Sequence, residues 1–127
     1  IPGEAAIYSM LETQANFIGE FTTVLLPRSA KSIVREIVLR EPETPLADVE
    51  SWIRLLKEGD LLYMVDTLSF FRRHSGQEGE KTETHARGVL AWADLLRRGA
   101  AEEQGIRRKK LYEKAEFLEA LARSLKR

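Results

Sequence analysis

The chain contains no cysteine. A disulfide framework, a thiolate zinc site and a cysteine nucleophile are therefore excluded, and the composition fits a reducing compartment. It has no excess charge of either sign: 20 Lys and Arg residues balance 20 Asp and Glu residues, for a formal net charge of zero. No global field draws it toward nucleic acid or anionic lipid, so nucleic acid is not the favoured partner. Long hydrophobic runs are missing too. The most apolar stretch, 17–26, is interrupted by Glu20 and stopped by Pro27, whereas a bilayer crossing takes about 20 apolar residues. No membrane role is expected.

Residues that carry chemistry are equally sparse. The two histidines, His74 and His85, lie on either side of a polar stretch containing Glu78, Glu80 and Glu83. Thr82 stands where a Glu-x-x-His metal pattern needs its glutamate, so both read as helix-end histidines. The stretch from Gly76 to Lys81 has glycines and a lysine without Walker A spacing, and its acids would repel phosphate. There is no Gly-x-Ser-x-Gly elbow and no Rossmann fingerprint. No enzyme activity, cofactor or metal is expected.

What the sequence does have is helical periodicity. At 127 residues, 43% hydrophobic and 31% charged, the chain reads as one globular domain with its own core. It begins at Ile1 rather than methionine and is expected to be a piece of a longer protein. Ile1–Pro2–Gly3–Glu4 lacks the basic start and apolar run of a signal peptide. Ile7, Met10, Leu11, Phe17, Ile18, Phe21 and Leu25 recur at three- and four-residue steps and predict a first helix from Glu4 to Leu26, broken by Pro27. Ser29 is the expected cap of a second helix with Ile33, Val34, Ile37 and Val38 buried. After the Pro42–Pro45 turn, Thr44 caps a third helix carrying Leu46, Val49, Trp52, Ile53 and Leu56, which Gly59 closes.

Asp60 is the expected cap of a fourth helix with Leu61, Met64, Val65, Leu68 and Phe71 on its apolar face. A polar loop from Gln77 to Thr84 leads to a fifth helix bearing Val89, Leu90, Trp92, Ala93, Leu95 and Leu96. Ile106, Leu111, Ala115, Leu118, Ala122 and Leu125 mark a sixth, either separate from the fifth or continuous with it through Gly99 and Gly105. No strand alternation or hairpin turn is visible. The expected fold is all-α, a compact bundle of five to six helices, organised as an N-terminal extension (1–43), a core (44–98) and a C-terminal helix (99–127).

Two basic clusters stand out. Arg107–Arg108–Lys109–Lys110 could contact phosphates or act as an import signal. Because Glu113, Glu116 and Glu119 follow on the same helix, a solvated mixed-charge face is the stronger reading. Arg72–Arg73–His74, joined by Arg97–Arg98, would form a second basic corner, either a binding edge or complementation of helix dipoles. Trp52 and Trp92 are each expected in the core, with an interface pocket as the alternative.

One family resemblance enters over 61–96. A helix with spaced apolar residues, Met64, Leu68 and Phe71, ends in Arg72–Arg73–His74. A polar loop follows, then a helix with Trp92–Ala93–Asp94–Leu95–Leu96. This resembles the N-terminal domain of transcription elongation factor TFIIS, a module shared with elongin A and a Mediator subunit. Met64–Val65 replaces the isoleucine–glycine pair usual in that family. The resemblance implies a nuclear, non-enzymatic docking module for short, disordered acidic–hydrophobic motifs of transcription proteins. Arg72, Arg73 and His74 would be its charged edge and Trp92 its pocket wall. Without the resemblance, an intracellular helical bundle that self-associates or scaffolds a larger complex is the alternative.

Overall fold

The computed structural model describes residues 1–40, 45–70 and 82–125. The fold is all-α: five α-helices and no strand among the described residues. They are α1 (Gly3–Thr13), α2 (Lys31–Arg40), α3 (Ala47–Leu56), α4 (Thr82–Glu102) and α5 (Gly105–Leu125). The contacts divide the chain into two compact units, Ile1–Phe71 and Arg72–Arg127.

The first unit is built around Trp52. Ala6 and Met10 of α1 and Trp52 and Leu56 of α3 form its buried cluster, with Ile7, Ile18, Phe21, Val24, Ile53, Leu55 and Leu61 packed around them. Phe21 lies tilted on Trp52, with ring centroids 5.1 Å apart and planes at 59°. The indole N–H donates to the Gly19 carbonyl at 3.0 Å, so the ring is buried with its one polar atom satisfied.

The expected first helix is corrected here: α1 stops at Thr13 and does not reach Leu26. Gln14 takes a left-handed conformation, φ 53° and ψ 39°, which ends a helix by turning the chain out of its path. Asn16 then builds a loop of its own. Its side-chain oxygen accepts from Gly19 N–H, and its side-chain nitrogen donates to Gly19 C=O, both at 3.0 Å. A side chain that bonds local backbone in this way competes with helix formation. Gly19 sits at φ 107°, and a Cβ there would crowd the Thr23 hydroxyl. Ile18, Phe21 and Val24 therefore reach the core from a loop and a short 3-10 turn, Phe21–Thr23, rather than from a helical face.

α2 begins at Lys31 after a second 3-10 turn, Arg28–Ala30, and packs on α3. Ala30 and Ile37 are buried there, while Ile33 and Val34 are both half-buried. The side chain of Val38 and the cap Thr44 lie outside the described residues. α3 follows its expected pattern, with Val49, Trp52 and Leu56 buried. Its end differs from expectation: Lys57, in ordinary right-handed conformation, closes it, and Gly59 has no positive φ.

The expected fourth helix is absent between Asp60 and Phe70; Phe71 lies outside the described residues. Asp60, its expected cap, instead accepts a 3.0 Å hydrogen bond from Gly3 N–H. It thereby serves the N-terminus of α1, where Pro2 has no side-chain acceptor. The approach is close: a Cβ on Gly3 would collide with the carbonyl oxygens of Leu56 and Gly59. Leu61 is held in an extended backbone pair with Ile1, through two bonds of 2.9 Å. Beyond it Leu62, Tyr63, Met64, Val65, Leu68 and Phe70 are exposed. A stretch this short has too few helical bonds to offset the cost of nucleation unless a surface receives its apolar face.

The second unit is a pair of long helices. Residues Glu103 and Gln104 separate α4 from α5, so the fifth and sixth helices are distinct, and they pack closely on each other. Ala86, Ala93, Leu95, Leu96 and Ala100 are buried on α4, and Leu111, Ala115, Leu118 and Ala122 on α5. Apart from Leu95, these fall on three- and four-residue steps, the period of one helical seam. Leu90 and Ile106, both expected inside, face solvent.

Two substitutions test the clasp on Trp52. Trp52→Ala should lose about 3–5 kcal/mol, the usual cost of emptying an aromatic site. Gly19→Ala should lose about 1 kcal/mol or more through backbone strain alone. Denaturant unfolding followed in the first unit checks both.

Candidate docking groove

The site that the fold assembles lies where the chain enters α2. Pro27 holds an extended backbone, φ −63° and ψ 151°. The turn Arg28–Ala30 then feeds the helix directly, with Lys31 N–H bonded to Arg28 C=O. Leu26, Pro27, Arg28, Lys31, Val34 and Arg35 line an open groove of about 480 Å³. The last four positions recur at three- and four-residue intervals, so they share one side of the helix. That side adjoins the buried Ala30 and Ile37.

Leu26, Pro27 and Val34 supply an apolar floor, while Arg28, Lys31 and Arg35 supply a positive rim. Among the described residues none of these three cations forms an ion pair or a side-chain hydrogen bond. Glu36, the acid of α2, reaches Arg54 of α3 at 3.2 Å. The N-terminus of α2 adds its own partial positive charge at the same end. The groove thus joins an apolar floor to positive charge.

The residues singled out from sequence are placed differently. Arg72, Arg73 and His74 lie outside the described residues. Trp92 is half-buried on α4 of the second unit, whereas Trp52 is the core tryptophan of the first. His85 is exposed in the first turns of α4.

The basic run Arg107, Arg108, Lys109 and Lys110 is exposed at the start of α5. Its cations already have local partners: Lys109 meets Glu113 at 3.8 Å, and the Arg108 guanidinium sits 5.7 Å from the Tyr112 ring centre. Arg107 and Lys110 are engaged as well. This is the solvated mixed-charge face that the spacing of Lys109 and Glu113 predicts. The Arg97–Arg98 corner is likewise paired. Arg98 meets Asp94 at 2.9 Å, and Arg97 grips Glu119 with two bonds, 2.6 and 3.0 Å.

The groove cations escaped notice in the sequence because Arg28, Lys31 and Arg35 are not contiguous. Their signal is helical spacing behind a proline, a pattern that a search for basic runs passes over. Among the described residues no three His, Asp or Glu side chains come together as metal ligands would. No helix there is long and apolar enough to cross a membrane. No family model matches the chain, and no curated protein or solved structure matches it either.

The Arg97–Glu119 pair is open to a pH test. Its hydrogen bonds hold the Glu119 carboxyl below its ordinary range and raise the Arg97 guanidinium further. A depressed carboxyl contributes stability above the ordinary carboxylate range and loses it as pH falls through the folded-state value. Arg97→Met should therefore lower the thermal midpoint at neutral pH, modestly, because the pair is partly exposed. The deficit should close on acidification, as thermal melts across a pH series would show.

Proposed function

We propose that this protein is a non-enzymatic protein-interaction module that takes up short acidic–hydrophobic segments in the groove at the start of α2. One observation supports this reading above others. Arg28, Lys31 and Arg35, which form no ion pair or side-chain hydrogen bond among the described residues, border an apolar floor made by Leu26, Pro27 and Val34. A free cation beside apolar surface is best complemented by a ligand that offers a carboxylate next to a leucine- or phenylalanine-sized side chain. Disordered segments suit such an open groove, because they can order themselves against it on binding.

The ligand chemistry is that expected of the TFIIS-like resemblance, but the location differs. Residues 61–70 are not helical, and Arg72, Arg73 and His74 lie outside the described residues. The docking reading is therefore placed on α2. A nuclear role in transcription elongation rests on the resemblance of the Trp92 helix alone.

Peptides that alternate leucine or phenylalanine with glutamate should shift the resonances of Leu26, Val34 and Arg35. Their affinity should fall with added salt as the rim charges are screened. Reversing the rim (R28E, K31E and R35E together) should weaken binding by about tenfold or more, as loss of complementary charge does. Unchanged affinity in that variant would refute the site, and peptides that perturb nothing near α2 would refute the function.

A further inference from the structure

We propose that the natural occupant of this groove is the chain's own segment Leu61–Phe70, supplied by a second copy. This deepens the docking reading and rests on it.

The segment has the chemistry that the groove lacks. Leu62, Val65, Leu68 and Phe70 are 88%, 87%, 71% and 91% exposed. Single exposed apolar residues are ordinary, but several on one short stretch mark an interaction surface. Between Glu58 and Phe70 the sequence has three acids, Glu58, Asp60 and Asp66, and no base. Asp60 is bound to Gly3, which leaves Asp66 in the middle of the apolar set. An acid among large apolar side chains is what a positive rim around an apolar floor would select. The basic residues Arg72 and Arg73 come only after the segment.

Its mode of binding is written in the spacing. Met64, Val65 and Leu68 fall at i, i+1 and i+4, one side of an amphipathic helix laid in a groove, while Leu61, the first position of that period, is already packed on its own core. In the free chain this period has no surface to face, and the segment is not helical. Bound along α2 of another copy, it would wind into the helix that its periodicity encodes. Its start is fixed: the Ile1–Leu61 bonds and the Asp60–Gly3 bond tie it to the end of α3 and the beginning of α1. Each copy carries both segment and groove, so the exchange is reciprocal and closes as a two-fold dimer.

The test uses the full chain and two variants whose changes lie on exposed residues. One breaks the segment (Val65→Asp with Leu68→Asp), and the other reverses the rim (R28E, K31E and R35E). Sedimentation should show a dimer that dissociates with dilution and salt. Each variant alone should be monomeric and folded by circular dichroism. Mixed together they should form a heterodimer, because the mixture still contains one intact groove and one intact segment. A parent chain that stays monomeric at high concentration overturns the proposal, as does a dimer that survives either variant or variants that fail to complement. A peptide of residues 58–70 and an unrelated acidic–hydrophobic peptide separate this from the docking reading. If the unrelated peptide binds at α2 while the chain stays monomeric, the own-segment proposal falls and docking stands. If neither peptide binds the monomeric Val65→Asp with Leu68→Asp variant, whose groove is open, both fall.

Discussion

The first unit depends on the hydrogen bond from the Trp52 indole to the Gly19 carbonyl and on the loop that presents that carbonyl. Burying an indole places a donor in apolar surroundings, and an unpaired donor there is costly. The nearest acceptor is backbone, and backbone in a helix has its carbonyls already engaged. The chain after α1 must therefore leave the helical path for Trp52 to be buried. Asn16 makes this departure definite: it closes the loop on both polar groups of Gly19 and also donates to Asp48 at 2.7 Å. That last bond reaches the first turn of α3, the helix that carries Trp52. Loop, ring and helix are thus set by one small polar network, and Phe21 and Val24 follow it into the core.

This constraint explains how the sequence misleads between Phe17 and Leu25. Three- and four-residue spacing there is real, and Ile18 and Phe21 do pack on the core. Periodicity reports which side chains want burial, but not whether a helix delivers them. Gln14 and Asn16, both polar and tolerant of local backbone bonding, decide against helix. Along α3 and most of α5 the pattern and the structure agree. α3 buries Val49, Trp52 and Leu56, and α5 buries Leu111, Ala115, Leu118 and Ala122, all as their spacing predicts. The candidate site was less legible. Contiguity drew attention to Arg107–Lys110, where each cation has company nearby, whereas Arg28, Lys31 and Arg35, unpaired among the described residues, are spaced along the entry to α2. A charge becomes available to a ligand only when its own acids are occupied elsewhere. On α2 the one acid, Glu36, pairs with Arg54 of α3, a tertiary fact.

Asp60 shows a second kind of ambiguity. An aspartate before an apolar period is a sound cap signal, and Asp60 does cap a helix. It caps α1, the helix behind it in sequence, because α3 delivers it next to Gly3 N–H. A cap signal identifies an acceptor seeking orphan amides, and in a folded chain the nearest orphan amides need not be the next ones along the backbone. Once Asp60 and the backbone of Leu61 are committed to the N-terminal residues, the segment beyond is launched in an extended conformation without its cap.

The energetics of that segment bear on what its periodicity means. An isolated amphipathic helix is marginal in water without a surface to receive its apolar face, and among the described residues the stretch 62–70 has none. Its exposed leucines, valine and phenylalanine gain roughly 25 cal/mol for each square ångström of apolar surface removed from water, and a groove supplies that gain while ordering the chain. α2 keeps a half-buried Val34 beside cations that form no ion pair among the described residues. Both surfaces are incomplete alone, one lacking apolar cover and the other lacking negative charge, and the chain between Glu58 and Phe70 contains both.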